Sequence, residues 1–210
     1  SLSAEEKDLL DKGYIAFRHI ETEKSGYALS YAFIKFPFHP ELVMGVYSSA
    51  SEHAGSEGLG TGIIQSRLLE GTSSNPFRVL YELQFYRFST GNYIVSDTDS
   101  SVRTDKTETA YVMETRLVES SGNFFSPRWL EGYAKVHSLK EGSFFVACGH
   151  FVPRSGLGPK VLFNKFVKRE FEWSAISFYQ WVMRAAGDGF ARAEKYRERL
   201  RKLILAAPRL

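Results

Sequence analysis

The sequence predicts an α+β domain in which a curved antiparallel sheet is closed by a long C-terminal helix. Three observations carry this expectation. Between residues 62 and 152, apolar side chains keep returning with period two, separated by turn signals. From residue 174 to 203 the spacing changes to three and four, which describes one helix of about 30 residues and roughly 45 Å. The aromatic content is 15%, with 17 Phe and 11 Tyr, and such stiff, bulky side chains suit β-rich cores and the walls of apolar pockets.

The elements follow in order. Residues 3–11 read as a short helix, with Ser3 as cap, Glu5 and Glu6 in the first turn and Gly13 as the stop. Residues 14–20 and 27–36 are strand-like, joined by a turn at Glu23-Lys24-Ser25-Gly26. Pro37 ends the second strand, and Pro40 suits the first turn of a helix. Residues 41–54 then give one or two short helices, broken by Gly55 and the Gly58/Gly60/Gly62 cluster. In 77–88, Phe77, Val79, Tyr81, Leu83 and Phe85 share one face, against Arg78, Glu82 and Gln84 on the other. Tyr111, Met113, Thr115 and Leu117 alternate in the same way against Glu114 and Arg116. Residues 143–152 are apolar on both faces, as expected of a strand covered by a helix on its second side. Residues 159–169 look helical, and the 174–203 helix carries a stripe through Ala175, Phe178, Val182, Ala185, Ala186, Gly189, Ala193, Tyr196, Leu200 and Leu203. Its small middle either seats the helix close on the sheet or leaves volume for a ligand.

Composition narrows the function classes. A chain of 210 residues, 43% hydrophobic and 24% charged, fits one domain spanning 1–210 with a sizeable core. The formal charge of +3 gives no reason to expect a nucleic-acid partner. Positive charge concentrates at Arg192, Lys195, Arg197, Arg199, Arg201 and Lys202, interrupted by Glu194 and Glu198, which reads as a solvated helix face before a lipid-headgroup patch. With Cys148 alone, no intramolecular disulfide forms. No apolar run approaches the roughly 20 residues of a membrane span. The opening Ser1-Leu2-Ser3 leaves the compartment open between the cytoplasm and export after removal of a signal peptide.

The order helix, strands, short helices, meander, long helix is that of the helix-grip fold. The segment Gly158-Pro159-Lys160-Val161-Leu162-Phe163-Asn164-Lys165-Phe166-Val167-Lys168-Arg169 resembles the start of the last helix in START lipid-transfer domains, and Lys12-Gly13-Tyr14-Ile15-Ala16-Phe17-Arg18 resembles their opening. The resemblance covers nearly the whole chain, within the superfamily of birch-pollen-allergen-like proteins and polyketide cyclases. It departs from START domains in lacking a Trp between residues 47 and 60, and in reading Leu83-Gln84-Phe85-Tyr86-Arg87-Phe88 where an Arg-Asp pair is common. The resemblance implies a tunnel between sheet and helix for a lipid, sterol or polyketide-sized molecule, with transient membrane contact as a further expectation.

Catalytic and metal chemistry find little support. His19, His39, His53, His137 and His150 show no metal-ligand spacing, although His137 and His150 lie in consecutive strands and could be hairpin neighbours. Cys148 sits mid-strand among apolar residues, as a structural thiol would. No Gly-x-Ser-x-Gly elbow occurs, and the 55–62 glycine cluster lacks the ending of a phosphate loop. Asp97, Asp99 and Arg103 read as an exposed strand end before they read as acid/base groups. The expectation is therefore a non-enzymatic binder or carrier with no catalytic residue, metal or cofactor. Its cavity would be lined by Tyr81, Leu83, Phe85, Tyr111, Met113, Phe178, Val182 and Ala186, and gated by the 55–62 loop and the turn before Pro159. The alternative is a cyclase- or hydrolase-like enzyme in the same cavity, which requires a buried, paired ionisable group facing the ligand.

Overall fold

The computed structural model describes residues 1–22, 27–54, 63–69, 75–84, 93–104, 110–122, 127–153 and 160–206, with backbone alone at 63–65, 82–84, 93–100, 122 and 162. The expected gate segments, 55–62 and the turn before Pro159, lie outside the described residues, as does Phe85.

Helix α1 (Ala4–Asp11) begins as its sequence directs. The Ser3 hydroxyl accepts from the Glu6 N–H while the Glu6 carboxylate accepts from the Ser3 N–H, a reciprocal capping box, and Gly13 leaves the helix at φ 80°. Arg18 then grips Glu6 with two guanidinium nitrogens and holds its carboxyl down to about 2. That pins α1 to β1 (Ala16–Glu21).

Strand β1 pairs with β2 (Ala28–Phe36). The chain then crosses by α2 (Pro40–Tyr47), with Pro40 at its first position, and a 3-10 turn at Ala50–Glu52. At the far edge it starts an antiparallel meander: β3 (Ile63–Leu68), β4 (Phe77–Gln84), β5 (Tyr93–Thr104), β6 (Ala110–Gly122), β7 (Pro127–Ser138) and β8 (Ser143–Pro153). The eight strands lie in the order β1-β2-β8-β7-β6-β5-β4-β3, so the last strand closes against the second.

The sheet is curled around its core. Strands β2 and β4 are five positions apart, about 24 Å along a flat sheet. Yet Ile34 and Phe36 of β2, Val136 of β7, Met113 of β6, Val102 of β5 and Phe77 and Val79 of β4 belong to one buried cluster. Register shifts at Ile63/Gln65, Asp97/Thr98 and Pro127/Trp129 supply the local bends such curvature uses. Among the described residues, a second cluster lies on the convex face, where α1 brings Leu10 onto Ala16 and Phe33, beside Phe144 and Val146 of β8. The apolar second face of β8 thus finds its helix, and it is the first helix of the chain.

The C-terminal helices depart from expectation. The predicted break between residues 169 and 174 is absent, and α3 runs unbroken over Lys160–Gly187. The chain breaks instead at Gly189, where φ is 103°, and continues as α4 (Phe190–Leu205). Nothing in Glu170–Trp173 prevents helix continuation, whereas the Gly189 backbone occupies a region open essentially to glycine alone. The single stripe therefore divides. Phe178, Trp181, Val182 and Ala185 of α3 face the sheet, and Tyr196, Leu200 and Leu203 of α4 join the same cluster beside α2. Gly45 of α2 makes the α2–α4 approach possible: a Cβ there would lie 2.5 Å from the Tyr196 carbonyl oxygen.

Candidate functional site

Beneath α3 the core is aromatic. Phe36, Phe145 and Phe178 pack with centroids 4.7 to 6.3 Å apart, and Tyr47 lies 5.2 Å from Phe178 and 5.3 Å from Phe145. Beyond Tyr47 the packing turns polar. His53, 3% exposed, follows the 3-10 turn, stacks on Tyr81 and meets Trp181 edge-on. Its Nε2 is 2.8 Å from the Tyr47 carbonyl oxygen and its Nδ1 2.8 Å from the Tyr81 hydroxyl.

These two contacts determine the protonation pattern. A carbonyl oxygen only accepts, so Nε2 carries the proton and Nδ1 accepts from the Tyr81 O–H. Burial drives the His53 pKa down to about 4, outweighing the Tyr47 carbonyl, which favours the charged ring. The imidazole is neutral at pH 7.

Tyr47 and Tyr81 share a second property. Burial pushes the Tyr47 hydroxyl up to about 12 and raises that of Tyr81 further, with Tyr47 adding to the push on Tyr81. Yet both side chains keep part of their surface accessible. The Tyr47 hydroxyl makes no hydrogen bond with any described residue.

Glu52, beside His53, organises the surrounding charge. Its carboxylate accepts from Lys195 Nζ at 3.0 Å, Arg199 Nη1 at 3.3 Å and the Tyr196 hydroxyl at 2.9 Å. Burial raises its pKa, but the hydrogen bonds from Lys195 and Tyr196 and the two cationic charges outweigh that and hold it below the ordinary value. The Trp181 indole N–H donates to the Tyr196 hydroxyl at 3.3 Å. Arg201 grips Glu41 and Glu194, and Arg197 also reaches Glu194. Much of the basic face of α4 is thus neutralised internally.

The expected lining residues separate into three groups. Phe178, Val182 and Met113 are packed solid in the core. Tyr81, Tyr111 and Ala186 border it and retain accessible surface. Leu83 is placed in β4 by its backbone alone, and Phe85 is outside the described residues. Tyr47 and His53 lie beside Tyr81 without being among the expected lining residues, the first because it ends a short helix, the second because no spacing rule marks a lone histidine. The only sequence signal was a histidine directly after an apolar helix, too common a pattern to single out.

Other candidates resolve differently. His137 and His150 are not neighbours: His137 pairs with Phe144 and His150 with Glu131, six rungs apart on one ladder. Antiparallel registration sets residues of equal sum opposite each other, and these two lie toward opposite ends. Cys148 is buried between Tyr31 and Tyr133 in register, and burial raises its thiol to about 11, as befits a structural thiol. Arg103 is exposed and paired with Glu114 at 3.1 Å, while the Asp97 and Asp99 side chains lie outside the described residues. His19 bridges Ser30 at 2.9 Å and Glu172 at 2.8 Å, a serine–histidine–carboxylate line. Ser30 is fully buried under α3. The line therefore clamps α3 to the β1 edge without offering a nucleophile to solvent. Among the described residues, no group of three His, Cys, Asp or Glu could hold a metal, and no helix is long and apolar enough to cross a membrane.

A sheet curled around one long helix, its first hairpin closing against its last strand, is the helix-grip arrangement, and the solved structures of that class agree. A STAR-related lipid transfer protein fragment from Xanthomonas axonopodis superposes with a TM-score of 0.66 at 11% identity, over 80% of this chain and 93% of that one. Human STARD10 matches with a TM-score of 0.65 at 10% identity, over 92% of this chain and 78% of that one. The Zhui aromatase/cyclase from Streptomyces sp. R1128 gives 0.54 at 13%, over 86% and 95%. The chain has the START-like helix-grip fold. No family model matches its sequence, and no curated protein matches it by sequence.

Proposed function

We propose that this protein is a single-domain, non-enzymatic binder or carrier of a hydrophobic small molecule, held between the curled sheet and α3. The observation that carries the reading is the pair Tyr47 and Tyr81, packed against the core yet partly accessible, as the walls of a ligand cavity would be. The lipid-transfer proteins that share the fold support it. Tyr111 and Ala186 extend the wall, and Leu83 and Phe85 continue the Tyr81 face by their alternation in sequence. Removing apolar surface from water there is worth roughly 0.8 kcal/mol per CH₂.

A carrier exchanges cargo with a membrane, so transient membrane contact belongs to the reading. Because Arg197, Arg199 and Arg201 already face Glu194, Glu52 and Glu41, vesicle binding is expected to depend little on salt or lipid charge. The enzyme alternative has one observation in its favour, the buried His53–Tyr81 pair. A general base at neutral pH works best near pKa 7, however, and His53 falls to about 4.

Native mass spectrometry of gently purified protein, followed by organic extraction, tests the proposal. A stoichiometric apolar mass is expected, and Ala186→Trp is expected to abolish its uptake while the protein stays folded. Undiminished uptake by the folded variant, or an apo mass unchanged across a lipid panel, would overturn it.

A further inference from the structure

The polar end of the proposed cavity points to the ligand's functional group; this step rests on the carrier reading above. Tyr81 has one proton, directed to His53 Nδ1, so its remaining capacity toward the cavity is two lone pairs. Turning that proton toward a ligand would leave Nδ1 unsatisfied in a 3% exposed ring, at a cost comparable to the bond gained. Tyr47, with a hydroxyl that engages no described residue, has a proton to give. The cavity therefore offers one group that only accepts and one that donates.

We propose that the site selects a neutral, hydroxyl-bearing apolar molecule, whose O–H donates to Tyr81 and whose oxygen accepts from Tyr47. A hydroxyl meets both demands through one atom. A ketone has no proton for Tyr81. A carboxylate would bring lone pairs against lone pairs and a charge into a desolvated pocket. The cations that this network draws close, Lys195 and Arg199, are engaged by Glu52 and give such an anion no partner. The neutral state of His53, which burial favours, fits this pattern.

The test uses the intact chain and probes matched in shape: 1-dodecanol against 2-dodecanone and dodecanoate, and cholestanol against cholestanone. Each is measured by displacement of a fluorescent apolar reporter. Whichever shape binds, the alcohol is expected to bind about tenfold or more tightly than its ketone. Tyr81→Phe should bring the alcohol and its ketone within about twofold of each other. Equal affinities, or preference for ketone or carboxylate, overturn the proposal while leaving the cavity intact. Failure of every probe to bind would overturn the carrier reading and this one with it. Independently of any variant, nitrogen-15 NMR of the wild-type imidazole should show His53 protonated at Nε2. An Nδ1-protonated ring would donate to Tyr81, free the Tyr81 proton for the ligand and overturn the assignment.

Discussion

Replacing Gly45 by alanine isolates the packing on which the site's polar end depends. The added methyl carbon would lie 2.5 Å from the Tyr196 carbonyl oxygen and 2.8 Å from its carbon. Ordinary contact begins near 3.4 Å, so α4 must retreat by about 0.9 Å, and a backbone carbonyl cannot swing aside as a side-chain end can. Overpacking costs about 1–3 kcal/mol, and a contact this close to backbone atoms belongs to the upper part of that range, about 2–3 kcal/mol. Alanine's better helix propensity returns up to about 1 kcal/mol. The expected net loss is about 1–2 kcal/mol, or a fall in Tm of roughly 2–8 °C for a chain of this size. The same retreat would draw Tyr196 from Glu52 and loosen the ground beside His53. Urea unfolding of both proteins, with slope and midpoint compared, measures the effect. A Gly45→Ala protein as stable as wild type, or more so, would refute the reasoning, since only the propensity gain would then be operating.

Gly189→Ala should cost about 1–3 kcal/mol for a different reason: its methyl meets nothing within 4 Å, but φ of 103° is strained for any side chain; an unchanged urea midpoint would contradict that. Asn75→Ala should lose about 2–4 kcal/mol in the same assay, because the Asn75 amide donates to the carbonyls of Val102 and Leu203 and accepts from the Val102 N–H, all buried. Acidification should act in two windows. His53, neutral in the fold until about 4 against an ordinary 6.5, makes the unfolded chain the stronger proton binder between those values, so stability falls by up to about 3 kcal/mol as pH drops from 6.5 to 4. Glu6, held at about 2 by Arg18, contributes stability that is present above 4.5 and lost as pH falls through 2. Unfolding free energies of wild type and His53→Gln against pH should differ in slope in the upper window only.

Some of this architecture was legible in the chain because its causes are local. The Ser3 cap, Pro40 at a helix start, and alternation in Phe77-Val79-Tyr81 each act over a few residues, and each sits where its pattern implies. Alternation and helical spacing also set the order of elements, and it is that order which resembles the helix-grip fold. What escaped depends on distance in space. The helix break falls at Gly189 rather than near residue 170, because a backbone in a glycine-only conformation interrupts a helix that charged and aromatic residues do not. The α4 arginines look like a solvated basic face in sequence, but their partners Glu41 and Glu52 lie about 150 residues earlier. His53 carries no mark in sequence, because its meaning arises only when Tyr47, a short turn away, and Tyr81, on a strand 28 residues later, converge on its two nitrogens. Period and capping record which face a residue turns inward. Which faces meet, and which atoms then lack a partner, is decided by the curl of the sheet.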